Sequence, residues 1–76
     1  MLKIIGTGSR VAIKKNAVGR LQDHRGKQAV VEAAKYFANS GCILYTVVLC
    51  DKQGHAIDES RYYAYDKEVR FLERLR

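Results

Sequence analysis

The side chains that could perform nucleophilic or metal chemistry are few and widely separated along the chain. There are two cysteines, Cys42 and Cys50, and two histidines, His24 and His55, without a Cys-x-x-Cys or His-x-x-x-His spacing among them. If the stretch between the cysteines is a strand, it separates them by about 26 Å, and a disulfide requires Cα atoms within about 7 Å. Apolar surroundings also raise the pKa of a thiol and weaken it as a nucleophile. The sequence therefore predicts a non-enzymatic protein without catalytic residues, metal ligands or a cofactor.

The charged side chains carry a stronger signal, because their distribution is uneven. Residues 1–27 contain seven basic residues and one acidic residue, a net charge of +6, whereas residues 28–76 contain seven of each and are neutral. A segregated basic excess is the electrostatic footprint of a protein that binds a polyanion. The connection spanning 14–27 has the composition of a loop, and at this length such loops are often functional or mobile. A solvated basic surface without a partner is the alternative. The candidate binding residues for nucleic acid or an acidic partner are Arg10, Lys14, Lys15, Arg20, Arg25 and Lys27.

The tyrosines near the C-terminus form a second candidate surface. Alternation along a strand places Tyr63 and Tyr65 on one face and Tyr62 on the other. Their rings could stack on nucleic-acid bases, or they could pack in the core or at a protein interface. With Phe71, which lies on the apolar side of a predicted C-terminal helix, these three tyrosines are the candidate interface residues.

The elements that must position these side chains are organised around Cys42–Cys50. This stretch has no charge, Gly or Pro, and both of its side-chain parities are apolar. The pattern predicts a central strand that is covered on both faces. Asp51 and Gly54 predict a type I turn after it, followed by a return strand up to Tyr65. A bulge at Asp58-Glu59 would reconcile the two halves of that return strand.

Two helices are predicted around this hairpin. From about Lys27 to Asn39, polar residues recur at spacings of three and four, and Gly41 suits the residue that follows a helix. The free N–H groups at the start of such a helix would favour an anion beside Lys27. Asp66 would cap a final helix over 67–76.

Together these elements predict an α+β fold in a single domain spanning 1–76, with the order β-(β)-α-β-β-α. The sheet is mostly antiparallel with three to four strands, one packed helix and a short C-terminal helix. Whether the bracketed strand exists is left open. Residues 2–5 and 11–13 could form two strands joined by a turn, or a single strand with a glycine bulge. Val18 and Leu21 are expected to anchor the basic connection to the core.

These observations favour a small basic binding protein that engages nucleic acid or a nucleoprotein complex through the basic connection. The alternative is a protein-binding inhibitor or adaptor that acts on an acidic host protein. In its size and its predicted α/β make-up, the chain resembles small phage-encoded inhibitors, anti-CRISPR proteins among them, although it carries no motif of such a family. We expect a cytoplasmic protein without a membrane partner, because the longest apolar run is far shorter than a membrane span. A monomer and a homodimer are both left open.

Overall fold

The chain forms strands where the sequence predicts helices. The computed structural model describes residues 4–74, apart from the side chains at positions 58 and 59. Its strands are β1 (Ser9–Ile13), β2 (Gln28–Phe37), β3 (Cys42–Cys50), β4 (Ala56–Tyr65) and β5 (Val69–Arg74). One 3-10 helix (Gly19–His24) lies between β1 and β2, and a second (Asp66–Glu68) joins β4 to β5. Since no α-helix occurs in this described part of the chain, the predicted α+β class with a packed helix is wrong.

The strands form one curled antiparallel sheet in the order β4-β3-β2-β1-β5. β3 has the predicted limits and is an internal strand between β4 and β2, so the strand itself is confirmed. β2 is the middle strand of the five, and the outer side chains of β3 at 42, 44 and 46 are only half-buried, so the predicted cover on both faces is not. The predicted turn is also confirmed, because the Gly54 N–H donates to the carbonyl of Asp51 at 3.0 Å. The pairing with β4 is irregular at 57–60, which includes the predicted bulge. β4 and β5 are the two edges of the sheet, and sedimentation would test whether the chain is a monomer or a homodimer.

β2 replaces the predicted packed helix. It pairs with β3 along its whole length and with β1 over its first residues. Its first half alternates as a strand should, with Ala29 and Val31 buried, and the pairing shifts at Glu32. Gly41 does adopt the expected left-handed conformation (φ 72°), but it closes a β-hairpin, in which its N–H donates to Phe37 at 2.8 Å. The polar residues of this segment are spaced as in a helix, but pairing with β3 outweighs that preference. β3 is an internal strand and needs a neighbouring strand on each side.

β5 replaces the predicted C-terminal helix. Asp66 begins only the second 3-10 helix, and the chain then extends along β1, with Val69 opposite Ile13. Positions 75 and 76 of the predicted helix lie outside the described residues. At the other end of the chain, β1 is a single strand, and residues 4–6 before it are not part of the sheet. Positions 1–3, which belong to the other predicted strand, lie outside the described residues.

The sheet has an inner face that forms the core and an outer face directed away from it. The first 3-10 helix closes the core, with Leu21 only 1% exposed, and burying such a leucine contributes about 1.5–3 kcal/mol. Val18, the other predicted anchor, is 65% exposed, and Ala17 is buried in its place. No helix in the described part of the chain is long and apolar enough to span a membrane. The core residues are Val11, Ile13, Ala17, Leu21, Ala29, Val31, Ile43, Tyr45, Val47, Leu49, Tyr62, Ala64 and Val69.

Candidate nucleic-acid interface

Five exposed cations surround two adjoining grooves on the outer side of the molecule. The first groove, of about 540 Å³, is lined by Lys14, Lys15 and Arg70 together with small and apolar residues. The second, of about 260 Å³, is lined by Lys27 and Lys52. Gly26 lines both grooves, so they meet there. We call the two grooves with these five cations the basic trough.

Strand register explains how residues so far apart in sequence reach the same place. Directly opposed residues in an antiparallel sheet point to the same face. Arg70 on β5 is opposite Ala12 on β1, which is opposite Gln28 on β2, which is opposite Cys50 on β3. This row crosses the outer face and supplies residues to both grooves. Ala12 and Gly26, which also line the trough, have little or no side chain to fill it.

The backbone that carries Lys14 and Lys15 is held in place by the second 3-10 helix. The Lys14 N–H donates to the carbonyl of Glu68 at 2.8 Å, and the Asn16 side-chain amide donates to the carbonyl of Lys67 at 3.1 Å. The Glu68 carboxylate accepts the Val18 N–H at 2.9 Å. This part of the connection is therefore fixed on both sides of Lys15, which limits the entropy lost when a ligand binds.

The five trough cations are exposed, and none has an ion-pair partner among the described side chains. The acidic residue lining the trough is Asp51. Its Oδ1 accepts the backbone N–H groups of Gln53 and His55, both at 2.9 Å, and the bond from His55 is the main reason that its pKa is lowered. Asp51 is thus bound to its own turn and stays ionised, so among the described side chains that line the trough one negative charge stands against five positive ones.

Of the six predicted binding cations, Lys14, Lys15 and Lys27 lie in the trough and the other three do not line it. Arg10 has a side chain only 15% exposed, pairs with Glu73 and donates to Gln28 and to the carbonyl of Lys52. Its cationic group therefore serves the fold by joining β1 to three neighbouring segments.

Arg20 and Arg25 lie on the first 3-10 helix and its end. The guanidinium of Arg20 stands over the ring of Tyr62, 5.2 Å from its centroid. Arg25 donates twice to the carbonyl of Ala17, at 2.8 and 3.0 Å, and so closes the basic connection on itself. Both contacts stabilise and order the basic connection.

The predicted anion site at a helix N-terminus does not exist, because no helix starts at Lys27. The Lys27 N–H donates to His24 at 3.1 Å and the Gly26 N–H donates to Ile13 at 2.9 Å. Neither N–H is free for a ligand, so anion binding in the trough falls to the side chains.

The four candidate interface residues separate into three groups. Tyr62 is 8% exposed and belongs to the core, where His24 contacts its ring edge-on with centroids 5.1 Å apart. Tyr63 and Tyr65 are 65% and 42% exposed on the outer face, as the alternation predicts. Phe71 is 51% exposed in a separate apolar groove of about 610 Å³, which Arg74 also lines.

Nothing in the described residues brings metal ligands or a nucleophile and base together. Among the described side chains, which exclude those at positions 58 and 59, no group of three His, Cys, Asp or Glu could hold a metal ion. Cys42 and Cys50 are free thiols at the two ends of β3. Burial raises the pKa of Cys50, which makes it less reactive.

Sequence reasoning missed Lys52 and Arg70, since both belong to the segment whose total charge is zero. The turn after β3 carries Lys52 to the sheet end where β2 begins, and this could have been inferred from the predicted hairpin. The position of Arg70 depends on the pairing of β5 with β1, which a helical prediction excludes. Comparison with protein-family models, curated proteins and solved structures finds no match to this chain.

Proposed function

We propose that this protein is a non-enzymatic module that binds nucleic acid, free or within a nucleoprotein complex, by its phosphate backbone. The observation that supports the proposal is the basic trough, in which five exposed cations, none paired with a described carboxylate, line two grooves that meet at Gly26. Four of the five are lysines, which act as point charges and do not read base edges in a fixed geometry. Binding is therefore governed by backbone and shape more than by sequence.

The number of cations sets the expected salt dependence. If all five neutralise phosphates, the logarithm of the affinity falls with the logarithm of salt concentration at a slope of about −3.5 for a single strand and about −4.5 for a duplex. Fluorescence anisotropy of labelled 12-mer oligonucleotides of mixed sequence, titrated at several salt concentrations from about 20 mM upwards, measures this slope.

A pair of charge-reversal variants separates a specific trough from general positive charge. The trough variant combines Lys14→Glu and Arg70→Glu. It reverses the charge of two trough cations, one from each half of the chain. The matched control, Lys67→Glu with Arg74→Glu, changes the net charge equally at exposed positions that do not line the trough.

We expect the trough variant to lose most of its affinity and to show a slope smaller by at least one, because two phosphate contacts are lost. The control should retain both the slope and most of the affinity. Equal losses in the two variants, or no binding by the wild type even at the lowest salt, would contradict the proposal.

The second candidate is a protein-binding inhibitor or adaptor, of the kind found in phages and other mobile elements. The observation that favours it is the apolar groove beside Phe71, which is lined by Ile4, Ile5 and Arg74 as well. An apolar side chain next to a carboxylate on a partner protein would fit this groove. Such a complex should survive nuclease treatment, be lost in Phe71→Ser and persist in the trough variant, whereas a nucleic-acid complex should behave in the opposite way.

A further inference from the structure

We infer that the nucleic acid is single-stranded and that its bases bind on the same outer face, on Tyr63, on Tyr65 and in a depression between Tyr65 and Phe37. This inference rests on the proposed function, because it places the bases of a strand whose phosphates occupy the trough. The two tyrosines are exposed by 65% and 42%, although aromatic rings favour burial or stacking over exposure to water.

The trough and the tyrosines share the outer face because β3 alternates without interruption. Cys50, at the trough, has the same parity as Thr46 and Leu44. Thr46 is opposite Tyr63, and Leu44 is opposite Tyr65. A strand that leaves the trough can therefore continue over the tyrosines without crossing the edge of the sheet.

The depression at the far end of this face has the chemistry of a base-binding site. It measures about 380 Å³ and is lined by Tyr65 and Phe37, which belong to the outer face, together with Tyr36, Ala38, Asn39 and Ser40. Aromatic walls stack on the faces of a base, while an amide and a hydroxyl can hydrogen-bond to its edge.

A lysine lies close to the depression. Lys35 lies on the same face, opposite Leu44, and its Nζ is 5.3 Å from the centroid of the Phe37 ring. It is exposed, and none of the described carboxylates pairs with it, so it can meet the phosphate that accompanies a bound base.

The spacing of the rings distinguishes a single strand from a duplex. Tyr63 and Tyr65 are two residues apart on one strand, so their attachment points are separated by about 6.7 Å. This is roughly twice the 3.4 Å per nucleotide of a strand in a duplex, and bases within a duplex have no free faces. Only an extended strand with unstacked bases can place its bases on both rings.

The length of the face sets the size of the site. From Gln28 at the trough to Phe37 at the depression, β2 contains 10 residues, which corresponds to a length of about 30 Å. At about 3.4–6.7 Å per nucleotide, this length corresponds to roughly five to nine nucleotides. We therefore expect oligonucleotides of three nucleotides to bind much more weakly than those of nine.

The test compares a labelled 12-mer single strand with the duplex of the same sequence at equal salt. The variant is Tyr63→Ser with Tyr65→Ser, and its rescue is Tyr63→Phe with Tyr65→Phe, which keeps the rings. Val18→Ser is the control, because Val18 is an exposed apolar residue that lines neither the trough nor the depression. The single variant Tyr63→Ser is included because this more exposed ring can be removed with less effect on folding, which circular dichroism verifies.

We expect the wild type to bind the single strand at least tenfold more tightly than the duplex. Each lost ring should weaken binding of the single strand by roughly 5- to 100-fold, with the salt slope and duplex affinity unchanged. The phenylalanine rescue and the Val18 control should bind like the wild type.

Equal affinity for single strand and duplex, or serine variants that bind like the wild type, would overturn the inference while leaving the basic trough as a nucleic-acid site. Absence of binding to either oligonucleotide at low salt would instead overturn the proposed function, and this inference with it.

Discussion

Replacing Glu68 should weaken both the fold and the basic trough, because its carboxylate links the basic connection to the end of β4. The side chain is 4% exposed. One of its oxygens accepts the N–H of Val18 in the basic connection, and the other accepts the N–H of Tyr65 at the end of β4, each at 2.9 Å. In Glu68→Ala both donors lose a charged acceptor.

The size of the effect follows from these two bonds. A hydrogen bond to a charged group contributes about 1.5–3 kcal/mol, so two would contribute about 3–6 kcal/mol. Both are only partly buried, and water can replace part of the loss, which reduces our expectation for the unfolding free energy to about 2 kcal/mol. A 76-residue domain has a total stability of roughly 4–11 kcal/mol, so this is a large fraction.

Urea unfolding followed by circular dichroism measures the change. The midpoint should fall by about 1–2 M and the melting temperature by about 8–16 °C. Glu68→Gln, which keeps one acceptor oxygen, should lose an intermediate amount. Glu32→Ala is the control, because this exposed carboxylate pairs with exposed Arg61 and should contribute about 1 kcal/mol or less. If Glu68→Ala were as stable as the wild type, or Glu32→Ala the more damaging change, the assignment of Glu68 as the link between the basic connection and the end of β4 would be wrong.

Three further changes test separate parts of the structure. Tyr45→Phe removes the hydroxyl that accepts the Ile5 N–H at 2.9 Å, and we expect a loss of about 1 kcal/mol in urea unfolding. Gly26→Ala places a side chain at φ 83° with no atom within 4 Å of the new carbon, so the loss of about 1–2 kcal/mol that we expect in the same assay comes from backbone strain alone. Burial raises the pKa of the Cys50 thiol. Alkylation by iodoacetamide should therefore be slower at Cys50 than at half-buried Cys42 at any pH below that pKa. Peptide mapping after partial labelling measures the two rates, and equal rates would contradict this reasoning.

The part of the fold that could be predicted is the part in which local and tertiary preferences agree. In Cys42–Cys50, β-branched and aromatic residues favour a strand, and the absence of charge, Gly and Pro suits an internal one. The turn that follows has a local cause too, since the Asp51 carboxylate bonds to the backbone of its own turn. Neither feature depends on a distant residue, and both were predicted with their limits.

The part that could not be predicted depends on a competition that no local pattern reveals. The alanines of β2 and the spacing of Gln28, Glu32 and Lys35 suit a helix, but β3 leaves one edge open unless another strand covers it. The shift in pairing at Glu32 shows the compromise, since the strict alternation of burial stops there. β5 was misread for the same reason, because its partner β1 is more than fifty residues away in sequence.

The candidate site could be predicted only in part, and the reason lies in the same pairings. The formal charge of +6 is a property of the chain whether it is folded or unfolded, and it favours our proposal of a polyanionic partner without locating a binding site. Folding withdraws Arg10 and Arg25 into contacts with acceptors of the protein and adds Lys52 and Arg70 from the neutral part of the sequence. The number of cations changes little, whereas their arrangement becomes a trough that continues into an aromatic face. Specific binding by this protein should therefore depend on which strands are neighbours, and a change that separates β5 from β1 would remove the site without altering the charge of the chain.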